Sequence, residues 1–225
     1  MKRWPSCRRH RTHDLQPGVP VSELLAFVHL GFRHIVDVAA ADHILFLLAL
    51  AAIYRPRDWR DALWVVSAFT VGHSITLALA VTGVVTLPSS LIEFLIPITI
   101  LITGIENIAV RDRATALWGG RYRPLFAGVF GLVHGAGFAN YLKSMFVDHL
   151  ALPLFGFNVG IELGQIFVLG WAFLVLWGID RMLVSIRLPI RTASPLRLRV
   201  VAISALVTAV AASWAVQRSP FFTAW

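Results

Sequence analysis

Residues 62–83 read ALWVVSAFTVGHSITLALAVTG, an apolar run without one Lys, Arg, Asp or Glu, interrupted near its centre by His73. As a helix at roughly 1.5 Å per residue such a run covers roughly 33 Å, enough to cross a hydrocarbon core of about 30 Å. Working outward, residues 88–110, 124–147, 155–180 and 198–217 repeat the pattern. The first apolar segment, 21–54, is too long for one straight helix and holds Arg33, His34, Asp37, Asp42 and His43 in its middle. It divides into an interfacial helix over about 22–36 and a shorter span over about 39–54. The reading predicts an all-α, polytopic transmembrane bundle of about six spans with an N-terminal interfacial helix. Residues 21–217 form one transmembrane domain, 1–20 a polar, basic, disordered tail, and 218–225 a short C-terminal tail.

Composition agrees with the lipid phase as the main solvent. Of the 225 residues 57% are hydrophobic and 14% charged. The formal charge of +8 does not indicate nucleic acid, because the Lys and Arg residues lie between the apolar runs. Arg55, Arg57 and Arg60 follow the first span. Arg111, Arg113, Arg121 and Arg123 follow the third, and Arg181, Arg187, Arg191, Arg197 and Arg199 the fifth. By the positive-inside rule these connections are cytoplasmic and both chain ends lie outside, an orientation that the basic tail opposes. The one cysteine, Cys7, lies in the tail, so an intramembrane metal site has to use nitrogen and oxygen ligands.

An ionisable group within a span costs several kcal/mol unless paired or hydrated, which makes each one a functional candidate. The candidate metal ligands are Asp42, His43, His73, His134 and Glu162, with His34, Glu93, Asn158, Gln165 and Ser74 in support. Asn158, Glu162 and Gln165 are spaced to share one helix face. Gly131, Gly135 and Gly137 on the fourth span, with Gly160 and Gly164 on the fifth, are expected to bring those two helices together and set His134 beside Glu162. Counted from the outer end of each span, Asp42 and His43 fall roughly 5 Å deep, Glu93 roughly 8 Å, Glu162 roughly 10 Å, His73 roughly 15 Å and His134 roughly 20 Å. That is a graded ladder for an ion arriving from outside.

Plainer readings stand beside these. His29 and Asp37 suit interhelical hydrogen bonding, Asp42 with His43 suits a helix start, and Ser74 a backbone-bonded hydroxyl. Glu106 and Asn107 suit an interfacial ion-pair region with Arg111 and Arg113. Imidazole and carboxylate together fit Ni, Co, Zn or Fe(II), and they also fit a proton relay.

These segments resemble the HupE/UreJ family of membrane proteins over roughly residues 23–178. The resemblance rests on Gly31-Phe32-Arg33-His34-Ile35, Asp42-His43-Ile44-Leu45-Phe46-Leu47-Leu48, Ala68 to Leu77 around Gly72-His73-Ser74, and Glu93-Phe94-Leu95-Ile96-Pro97. It continues through Gly131-Leu132-Val133-His134-Gly135-Ala136-Gly137-Phe138-Ala139 and Phe157 to Gln165. The resemblance implies a nickel or cobalt permease of the bacterial inner membrane, with the ion as substrate. Two departures mark a less characterised branch. The hydrogenase-linked permeases place five residues between a His and an Asp-His pair, whereas seven separate His34 from Asp42. Phe130 and Gly137 stand where those permeases carry a further His and a Glu.

The expected function is therefore transport of a divalent transition metal. Asp42 and His43 would capture the ion, His73, Glu162 and His134 pass it on, and Asn158 and Gln165 orient the carboxylate. The alternatives are an intramembrane zinc hydrolase acting on a lipid or membrane-embedded substrate, and an accessory protein for metalloenzyme assembly. Expected partners are the lipid bilayer and the metal ion, with no nucleic acid; any membrane or metalloenzyme-assembly partners stay unidentified.

Overall fold

A computed structural model describes residues 20–38, 41–110, 120–143, 151–185 and 195–221. The expected tails, apart from Pro20 and residues 218–221, lie outside this set, as do Arg111, Arg113, Arg187 and Arg191. Within it the chain is all-α, with seven helices: α1 Pro20–Val36, α2 Asp42–Ile53, α3 Trp59–Val81, α4 Ser89–Val110, α5 Arg123–Lys143, α6 Ala151–Ser185 and α7 Pro195–Gln217. A single 3₁₀ turn, Pro56–Asp58, joins α2 to α3.

Four stretches are long and apolar enough to cross a membrane: Pro56–Val81, Ser89–Val110, Ala151–Met182 and Leu196–Gln217. α5 has the length, but Gly128, Gly131, His134, Gly135 and Gly137 dilute its apolar character. α2 is apolar but has only 12 residues, roughly 18 Å of helix. Large apolar side chains such as Trp64, Val71, Leu125, Phe167 and Trp171 are exposed, a surface suited to lipid.

Small residues decide which helices meet. A Cβ on Gly131 or Gly135 would overlap the α3 backbone at Phe69 or His73, so α5 lies directly against α3. Gly128 faces Ala68 and Gly135 faces His73, so the two helices run parallel. On α6, Gly156 meets Leu24, Gly160 meets Val28 and Gly164 meets Ile35, which makes α6 parallel to α1. The expected union of the fourth and fifth spans does not occur: the glycines of α5 and of α6 are each used on a different partner. Gly104 of α4 meets Thr208 of α7 while Phe94 reaches Phe221, an antiparallel pair. α2 packs against α4, α6 and α7, and its buried residues Phe46, Leu47, Ala49 and Leu50 to Ile53 surround the helix, as befits a central element.

The segment that the sequence divides in two is indeed two helices. α1, though, lies along α6 through Gly31 and Gly160. α6, with 35 residues, is roughly 52 Å long and exceeds the hydrocarbon core, so it offers α1 a wall at its N-terminal half.

At the opposite end of the bundle, polar groups close the helix termini. Arg199 donates to the carbonyls of Ala52 and Tyr54, at 3.3 and 3.2 Å, and pairs with Asp180. The last carbonyls of α2 have no intrahelical donors, and this guanidinium supplies them. Asn107 donates to the carbonyl of Ala49 at 2.7 Å. Glu106 is ion-paired, as expected: among the described residues its partner is Arg123, with Tyr122 donating to the same carboxylate, while Arg111 and Arg113 lie outside that set. Burial and the adjacent Glu106 carboxylate raise the Tyr122 phenol above its ordinary range, which keeps it a donor.

Candidate metal centre

Four histidines from four helices meet in the core. His34 lies in the last turn of α1, His43 in the first turn of α2, His73 in the middle of α3 and His134 in α5. The break between α1 and α2 absorbs the residues separating His34 from His43 and lets both rings turn into one space. Contact between α3 and α5 at Gly135 then sets His73 beside the helix that carries His134.

One ligand nitrogen from each of His34, His43 and His73 lies within 4.8 Å of the others. The rings of His34 and His43 are 4.8 Å apart, and His134 stands 5.1 Å from His43. Phe69, Phe138 and Phe157 enclose the group, with Phe138 4.1 Å from His34 and Phe69 5.0 Å from His134. His73 is fully buried, His134 nearly so, and His43 is 6% exposed.

This packing leaves the imidazoles short of partners. His34 Nε2, both nitrogens of His43, both of His73 and His134 Nδ1 are buried without a hydrogen-bond partner among the described residues. A buried polar group left unsatisfied costs about 1–3 kcal/mol, so a set of this kind requires an occupant or a function. A transition metal satisfies both requirements, since neutral imidazole nitrogen is its ligand. Nitrogens about 2.0–2.1 Å from one tetrahedral ion sit about 3.4 Å apart, so the triad must close by about 1 Å or more to grip it.

His134 has the best defined orientation. Thr99 Oγ1 donates its single proton to the Ile96 carbonyl at 2.7 Å, and its oxygen lies 3.1 Å from His134 Nε2. The hydrogen-bond network therefore assigns the proton to Nε2 and a free lone pair to Nδ1. A second-sphere hydroxyl that fixes tautomer and ring angle is what a ligating histidine needs.

Among the described residues neither Asp42 nor Glu162 joins the ligand group that the histidines form. Asp42 directly precedes His43, but its Oδ2 lies 3.3 Å from Arg218. Glu162 accepts a 2.5 Å hydrogen bond from Ser67, a residue that no motif or spacing singles out, and Gln165 accepts one from Thr70 at 2.8 Å. Asn158 leaves its Oδ1 buried and unpartnered. Glu93 is exposed on α4, and Ser74 donates to the Thr70 carbonyl at 2.6 Å. The four histidines thus form one compact group in place of a graded ladder. The depth count started α2 at the outer surface, whereas α1 precedes it along α6 and carries its first turn into the core.

A family profile described as HupE / UreJ protein matches residues 10–218, beyond both ends of the segment in which the sequence motifs fall. No curated protein matches the chain, and no solved structure does. The profile runs through all four histidine-bearing helices and the arginine that meets Asp42, and the chain belongs to the HupE/UreJ family of membrane proteins.

Proposed function

We propose that this protein is a permease for a divalent transition metal, nickel or cobalt, and that the four-histidine cluster is the binding site its cargo passes through. The observation that carries the reading is the convergence of three imidazoles, two of them buried and the third half-buried, with nitrogens that have no partners among the described residues. Family membership supports it, because the family is linked to nickel and cobalt uptake. α1 and α2 would act together as one broken span, giving six crossings, with the arginine-rich end of the bundle in the cytoplasm and both termini outside. Asp42 would receive the ion at the outer side of the cluster. Glu162, held by Ser67, with Asn158 and Gln165 on the same helix, would offer oxygen ligands beside the path. The proposed location is the bacterial inner membrane.

Metal accumulation in cells expressing His43→Ala or His73→Ala tests the reading. Uptake should fall to the background of cells lacking the protein, with membrane levels of the variant unchanged. Wild-type accumulation in both variants contradicts it.

The compactness of the cluster also favours an intramembrane zinc hydrolase, in which three imidazoles hold the metal and a carboxylate activates its bound water. Asp42 is the carboxylate adjacent to the cluster in sequence, and its engagement with Arg218 weighs towards transport. Retention of full metal uptake by a variant that loses only a lipid-hydrolysing activity would reverse that preference.

A further inference from the structure

One ion pair stands beside the histidine cluster without belonging to it. Asp42 opens α2 immediately before His43, and its Oδ2 lies 3.3 Å from Arg218 Nη1. Its Oδ1 is buried without a partner among the described residues. Arg218 follows the last turn of α7, where its guanidinium lies 5.1 Å from the centre of the Trp214 ring. The Arg218 side chain is 34% exposed and that of Asp42 17%, so the pair lies between the surface and the core.

We infer that Arg218 is a resident counter-ion that a cation reaching Asp42 has to displace, and that this restricts the outer approach to divalent ions. The inference rests on the transport reading above and adds a residue that sets which ions enter. Arginine is charged at every working pH, so Asp42 is neutralised whenever the site is empty of cargo. The guanidinium is also tethered, at an effective concentration of millimolar order or more, whereas a free ion gives up translational freedom to bind. A sodium or potassium ion offers Asp42 the same single charge that Arg218 already supplies, and it loses the competition. A divalent ion doubles the Coulomb attraction and wins it. Once displaced, the guanidinium still has the indole face of Trp214 to rest on, which lowers the cost of release. The freed carboxylate is then next to His43, whose two ring nitrogens are unpartnered.

The test uses the purified full-length protein in detergent, with Co²⁺ as the probe and its visible absorption as the readout. Titrations are run in sodium chloride and in choline chloride at equal ionic strength. Wild-type affinity should be the same in both salts, because neither monovalent cation displaces Arg218. Arg218→Gln should bind Co²⁺ about three- to tenfold more tightly in choline and lose that gain in sodium, since the bare carboxylate is open to a small ion such as Na⁺ but not to the bulky choline. Arg218→Lys should behave as wild type. Trp214→Leu, which keeps the ion pair but removes the second resting place, should weaken Co²⁺ binding. Wild-type affinity and no sodium sensitivity in Arg218→Gln, together with unchanged affinity in Trp214→Leu, overturn the inference and leave Arg218 as a helix-end anchor, with the metal site intact. Absence of Co²⁺ binding in the wild type and in every variant overturns the metal site itself and this inference with it.

Discussion

Replacing His73 with leucine separates a ligand from a packing residue by the sign of its effect. His73 is fully buried and both its ring nitrogens lack partners. Relieving even one unsatisfied buried polar atom returns about 1–3 kcal/mol, and a swap of similar volume costs less than about 1.5 kcal/mol in repacking. The metal-free variant should therefore be as stable as wild type or more stable. At roughly 2–4 °C per kcal/mol for a chain of this size, its Tm should rise by up to about 12 °C. Wild type should gain about 2.7 kcal/mol at Co²⁺ a hundredfold above Kd, a rise of roughly 5–11 °C that the variant should lack. Thermal unfolding in detergent, followed through the eight tryptophans, reads both quantities. A metal-free variant that melts several degrees lower and keeps the full cobalt shift would refute the reasoning, because His73 would then be a packing residue.

Thr99→Val should weaken Co²⁺ binding about 10- to 100-fold by releasing the His134 tautomer, while Thr99→Ser keeps wild-type affinity; equal affinities in a cobalt titration would dismiss the Thr99 assignment. Gly135→Ala puts a methyl group into the His73 backbone and should cost about 1–3 kcal/mol of stability as well as metal affinity, read by melting and titration on the same sample. A stable Gly135→Ala variant with intact binding would show that α3 and α5 need not touch there. Arg199→Gln removes a buried partner of Asp180 and of the α2 carbonyls and should destabilise by about 3–5 kcal/mol without changing cobalt affinity once folded. A weakened affinity in the folded fraction would tie this end of the bundle to the site.

Much of the architecture follows from apolar runs alone, since α3, α4, α6 and α7 are each a long run bounded by charge or, between α3 and α4, by Gly83 and Pro88. Histidine within such runs also marked the cluster, because His73 and His134 have no inexpensive alternative role in lipid. Pairing of the helices was harder to read. Gly135 and Gly160 each signal a close neighbour without saying which, and the neighbours prove to be α3 and α1. His34 shows the same limit: its distance from Asp42 departs from the family spacing, and only the break between α1 and α2 brings its ring to His43. The Thr99 and Ser67 contacts depend on helix rotation and register, to which apolar periodicity is blind.

The central claim is that imidazoles of the histidine cluster together hold one ion, and cobalt K-edge X-ray absorption on the purified protein loaded with one equivalent of Co²⁺ reaches it most directly. The account predicts a nitrogen shell at about 2.0–2.1 Å with the multiple-scattering pattern of three or four imidazoles, lost in a His43→Ala, His73→Ala double variant. An oxygen shell with at most one imidazole, unchanged in that variant, would contradict it.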